Sequence, residues 1–160
     1  MNSRAQDLSA IVDEHVADEF VAKDVAGGVG AGGVADFYDK CFIGHWPADT
    51  TIIPVCRIVG AERVVDKMIM SFTHEIPMPT FLPGVAPTGR AVLLPVVVVM
   101  GFDADSETPK VAYERIYWDQ ASLLVQVGLL NETLLPVTGV AQARKVLDKN
   151  LPANTLLRRG

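Results

Sequence analysis

From Thr50 to Asp119 the sequence leaves helical spacing for the two-residue alternation of β-strands, and this restricts the chain to a fold built on an antiparallel sheet. Thr50 to Val59 is rich in β-branched residues, and Gly60-Ala61-Glu62 supplies a turn into a second strand over Arg63 to His74. That strand carries Val64, Asp66, Met68, Met70, Phe72 and His74 on one face, which is expected to look inward. A Pro- and Gly-rich loop, Pro77 to Gly89, precedes a third strand, Val92 to Phe102, whose two apolar faces mark it as central. After an acidic tip at 103–109, Lys110 to Asp119 sets Tyr113, Arg115, Tyr117 and Asp119 against Ala112, Glu114, Ile116 and Trp118. A single bulge would decide which of these two sets faces inward.

Helical periods flank the strands. Leu8, Ile11, Val12, Val16 and Phe20 recur at threes and fours, which predicts an amphipathic helix over Leu8 to Lys23. The glycine run at 26–33 is expected to break it, followed by a short helix with Val34, Phe37, Tyr38 and Cys41 on one side. The run has neither a preceding strand nor a following Lys-Ser/Thr, so it is not read as a phosphate loop. A helical turn over Ser122 to Leu130, a short helix over Val140 to Leu147 and a fraying tail at 151–160 complete an α+β reading with one domain over 1–150.

A chain of 160 residues can bury roughly two-thirds of its unfolded surface in one core. Hydrophobic residues at 49% and charged ones at 21% are ordinary globular usage, which argues against wholesale disorder. A net charge of -5 without a Lys/Arg cluster argues against nucleic acid or an anionic membrane as partner. The longest apolar run, Ala91 to Gly101, is far shorter than the ~20 residues a membrane helix needs. The polar start is not that of a signal peptide, so a cytoplasmic location is expected. Cys41 and Cys56 read as small core residues, and no His, Asp, Glu or Cys spacing matches a metal motif.

Two stretches carry a family resemblance. The run 82–90, ending Ala86-Pro87-Thr88-Gly89-Arg90 with His74 upstream, resembles the Gly-x-x-Pro-Thr-Gly-Arg/Lys loop of SnoaL-like polyketide cyclases, of the nuclear-transport-factor-2-like superfamily. The run 117–129, from Tyr117-Trp118-Asp119 to Gln126-Val127-Gly128-Leu129, resembles the same family's Asp at a strand end followed by a Gln-x-Gly-Leu helix. The resemblance spans about Gly33 to Leu130 and implies a cone-shaped, curved antiparallel sheet wrapped round N-terminal helices. The superfamily places a further helix and short strand where this chain has only its glycine run, which implies a shortened N-terminal part. It also implies a homodimer.

By the same resemblance Asp119 is an acid/base moving a proton during intramolecular aldol closure, without a cofactor. From the residues alone, a carboxyl at a strand end beside Tyr117, Trp118 and Leu123 would be partly desolvated, which suits acid/base work; capping the following helix is the structural alternative. His74 is either a second proton carrier or a histidine bonded to loop carbonyls. Asp66 shares its face but lies eight residues away, roughly 26 Å at about 3.3 Å per residue, so it belongs to a rim or an ion pair. Tyr113, Arg115, Tyr117 and Trp118 are candidate substrate contacts, with Met70 and Phe72 as an apolar floor and Arg90 at the mouth under the Pro77 to Arg90 loop. The reading is thus a cofactor-independent cyclase or isomerase acting on a hydrophobic small molecule, with a non-catalytic ligand-binding or dimerisation module as the alternative.

Overall fold

The computed structural model describes residues 16–22, 30–103 and 110–158. In chain order they form β1 (Val16–Ala22), α1 (Gly30–Phe37), a π-helical turn (Tyr38–Phe42), β2 (Thr51–Val59), β3 (Arg63–Thr73), β4 (Ala91–Asp103) and β5 (Lys110–Trp118), then α2 (Gln120–Gln126) and α3 (Val140–Leu147). A short 3₁₀ turn at Leu156–Arg158 follows in the tail. The sheet runs β1-β5-β4-β3-β2, antiparallel throughout except for β1, which pairs parallel with β5. The fold is α+β.

The strands of the alternating region form where their pattern puts them, and α3 matches its predicted bounds. Two N-terminal expectations are overturned. Val16–Ala22 is a strand rather than the end of an amphipathic helix, because β5 offers it an open edge and the β-formers Val16, Phe20 and Val21 suit that edge. Residues 8–15 lie outside the described part. Gly30, Gly32 and Gly33 sit inside α1 instead of breaking it, and a Cβ at Gly32 would meet nothing within 4 Å. Tertiary packing, with Val34 fully buried, outweighs the entropy that glycine costs a helix.

Register fixes the faces. Met68 pairs with Val96 and Met70 with Leu94, while Val96 and Val98 pair with Trp118 and Ile116. The face bearing Asp66, Met68, Met70 and Phe72 is the inner one, as expected, and it collects the core of Phe72, Val92, Leu94 and Val96 with Leu123 and Val127. The Pro77 to Gly89 stretch is not an open loop: it drives Met78, Phe81 and Leu82 into that core and closes one end of the sheet.

Asp66 is taken up by an ion pair. Arg57 across the β2–β3 ladder donates to both of its carboxylate oxygens at 2.7 Å, and the guanidinium holds the Asp66 carboxyl below its usual range.

Beyond Trp118 the edge of β4 has no strand partner among the described residues, and a side chain stands in for one. The Gln126 carboxamide accepts from Leu93 N–H at 2.9 Å and donates to Leu93 C=O at 3.0 Å, so both backbone groups are satisfied. This gives the Gln of the Gln-x-Gly-Leu motif a structural role. The glycine of that motif, Gly128, has φ +81, and a Cβ there would lie 2.7 Å from Cζ of Arg90. The two motifs therefore touch each other.

Candidate functional site

The inner sheet face and the segments that cross it enclose a cleft of about 500 Å³. Its floor is Ile52 of β2, Met68 and Met70 of β3, Val96 and Val98 of β4, and Ile116 and Glu114 of β5. Phe42, Trp46, Pro47 and Thr50 form one wall and Phe81 another. Each lining residue of the strands sits at an alternate position, so the pleat alone aims these side chains the same way. The aromatic wall is continuous: Phe42 meets Trp46 edge-on at 4.9 Å, Trp46 meets Phe81 at 5.4 Å, and Phe81 meets Trp118 at 4.6 Å between ring centroids.

Glu114 is the one ionisable group among the lining residues. Tyr38, from the π-helical turn, donates its hydroxyl proton to the Glu114 carboxylate in a short hydrogen bond. Burial, and then the adjacent Glu114 charge, push the Tyr38 hydroxyl far above its ordinary pKa, so it remains a donor at any physiological pH. The pair presents a carboxylate, oriented by a half-buried phenol, to an otherwise apolar space.

Asp119 is placed differently from this pair. Its carboxylate is the N-cap of α2, accepting from Ser122 N–H at 3.1 Å and from the Ser122 hydroxyl at 2.7 Å. Ser122 is fully buried, and its hydroxyl lies 3.2 Å from the Gln142 carboxamide on α3. Asp119 thus belongs to a polar joint between α2 and α3 and does not line the cleft. Replacing Asp119 with Ala is expected to lower stability by roughly 1 kcal/mol, the usual worth of such a cap, measured by urea unfolding.

His74 is fully buried under the loop it organises. Its N–H donates to Arg90 C=O at 2.9 Å, its C=O accepts from Thr88 and Gly89 N–H at 3.1 and 2.9 Å, and its Nδ1 stands 3.1 Å from the Thr88 hydroxyl. Gly89 completes this turn at φ +65, a conformation that costs glycine nothing. Burial pushes the His74 pKa below its ordinary value, so the folded chain holds it neutral. The unfolded chain takes up a proton first as pH falls, so stability present above about pH 6.5 is expected to decline below it. A His74→Gln variant should flatten that part of a melting-temperature profile against pH.

Tyr113, Arg115 and Tyr117, expected beside a ligand, do not line this cleft. A bulge at Ala112, between the pairs Gly101–Tyr113 and Phe102–Val111, leaves these three on the outer face, and Tyr117 is 53% exposed. There Tyr113 lies over Gly101, where a Cβ would come within 2.2 Å of its ring, and Arg115 stacks on Tyr113 at 4.9 Å. Trp118 faces inward, packed on Phe81 and bonded through Nε1 to Gln120 Oε1 at 2.6 Å. Phe72 is core, Arg90 rests on Gly128, and Met70 alone of the singled-out contacts lines the cleft. Tyr38, Glu114 and the Phe42–Trp46–Phe81 wall were not read as a site; the alternation left Glu114 facing in as an open alternative, and that was the available signal.

Among the described residues no group of three His, Cys, Asp or Glu is arranged to hold a metal, and no helix is long and apolar enough to cross a membrane.

No protein-family model matches the sequence, and neither does any curated protein. Solved structures do match. A protein of Jannaschia sp. CCS1 assigned as a SnoaL-like polyketide cyclase superposes with a TM-score of 0.58 at 17% identity, over 77% of this chain and 80% of that one. IdmH of Streptomyces antibioticus, assigned as a polyketide cyclase, gives 0.51 at 16% identity over 78% and 92%. A Catenulispora acidiphila protein with a ketosteroid isomerase-like fold, solved in complex with trimethylamine, gives 0.50 at 14% over 77% and 83%. At such identities the likeness is one of architecture: the chain shares the fold of these solved proteins, among them one assigned as a SnoaL-like polyketide cyclase.

Proposed function

We propose that this chain is a cofactor-independent enzyme of the cyclase or isomerase kind, with Glu114, rather than Asp119, as its acid/base. The observation that carries the reading is the single carboxylate among the residues lining an apolar cleft of about 500 Å³, set on its floor and bonded by the Tyr38 hydroxyl. A hydrophobic carbonyl compound fills such a space by burying its surface, and Glu114 then takes a proton from the carbon beside the carbonyl. The C–H electron pair becomes the enolate double bond and the carbonyl π pair moves to oxygen. The proton returns from Glu114 to another carbon in an isomerisation; in a cyclisation the enolate carbon bonds to a second carbonyl carbon, whose oxygen takes the proton. A complex of the structurally similar Catenulispora acidiphila protein with trimethylamine supports a cleft that admits small organic molecules.

The test is exchange of α-protons. β-Tetralone, a compact bicyclic ketone, is incubated in deuterium oxide with the protein, and loss of its α-proton signals is followed by NMR. Exchange above the buffer rate that disappears in Glu114→Gln is the expected result. Binding of the ketone without any enhanced exchange would instead favour a non-catalytic ligand-binding module.

A further inference from the structure

Glu114 accounts for one polar group of the cleft, and Thr50 supplies another. Thr50 lies in the turn that leads from Pro47 into β2, where its N–H donates to Pro47 C=O at 3.0 Å. The backbone is therefore fixed, while the side-chain hydroxyl is not: Oγ1 is buried and has no hydrogen-bond partner among the described residues. A shielded hydroxyl left unpaired costs stability, and a site retains one at no benefit unless something pairs with it. Thr50 lines the cleft, and rotation about χ1 exchanges its methyl and hydroxyl groups, so the hydroxyl can be presented to a bound molecule. Glu114 is on β5 and Thr50 leads into β2, with β3 and β4 between them, so the two polar groups serve different parts of a ligand.

We propose that Thr50 is a specificity-determining residue, hydrogen-bonding a second oxygen of the ligand. The ligand class is an apolar, ring-sized body carrying two oxygen functions: one handled at Glu114, the other a carbonyl or ether oxygen that accepts from Thr50. This rests on the cleft being the ligand site.

Two fluorescent probes test it: a naphthol carrying an acetyl group at the far end of the bicycle, and the same naphthol with an isopropyl group there. They match in shape and differ in the far oxygen. Affinities for both are measured by fluorescence titration with the wild-type chain and with Thr50→Val, Thr50→Ser and Thr50→Ala. The ratio of acetyl to isopropyl affinity is expected to fall roughly fivefold in Thr50→Val, the worth of one neutral hydrogen bond, and to be kept in Thr50→Ser. Thr50→Ala repeats the loss and serves in place of valine if that variant does not fold. A ratio unchanged by valine and alanine, or lost equally in serine, overturns the role of Thr50 while leaving the cleft as a ligand site. Failure of both probes to bind the wild-type chain overturns this proposal and the cleft reading together.

Discussion

Glu114→Gln is expected to slow α-proton exchange of a bound ketone by about 10²- to 10⁴-fold, the usual contribution of a positioned general base. Glutamine keeps the length of the side chain and an oxygen to accept from Tyr38, so the fold is disturbed little. What disappears is the lone pair basic enough to hold a proton. Asp119→Asn provides the contrast. Asparagine keeps an oxygen to accept from Ser122 N–H and loses only the second acceptor, for the Ser122 hydroxyl, so this variant should lose little stability and keep its exchange rate. If Asp119→Asn abolishes exchange and Glu114→Gln spares it, the acid/base is the capping residue and the cleft assignment is wrong.

Phe72→Ala is expected to cost about 3–5 kcal/mol, a large share of the roughly 5–15 kcal/mol that holds a natural domain together. Phe72 is 2% exposed on the inner face of β3, in the cluster that Met78, Phe81 and Leu82 close from the loop side. Removing the ring leaves a void that these neighbours, tied to the sheet through the Thr88–His74 turn, can fill only in part. The midpoint of urea unfolding measures the loss. The outcome also separates two roles: a ligand contact would lose affinity and keep its stability, whereas a core residue does the reverse.

How far the sequence could be read depended on whether a pattern stays within one element or needs its neighbours. The β-branched and alternating stretches set β2 to β5 within a residue or two, and Asp119 before Gln120 marked a helix start. The same periodicity misled at Val16–Ala22, where residues spaced for a helix are claimed by the free edge of β5. In β5 alternation defined two faces correctly but could not say which would be covered. Ala112 settled that by bulging, and Phe42, Trp46 and Phe81 did the covering from segments far away in sequence. The Tyr38–Glu114 pair spans 76 positions, and no local signal reports a contact of that range. The motif residues, by contrast, have roles in the architecture: His74 bonds Thr88, Gly89 and Arg90, Arg90 rests on Gly128, and Gln126 holds Leu93 of β4.

The carboxamide of Gln126 makes the length of the sheet negotiable. It occupies the two main-chain groups of Leu93 that a longer β5 would claim, so helix and strand compete for the same hydrogen bonds. A chain that lost this glutamine would expose a short stretch of adhesive backbone just where another polypeptide could dock edge to edge. One side chain thus acts as a stopper, deciding where the sheet ends and keeping strangers from extending it.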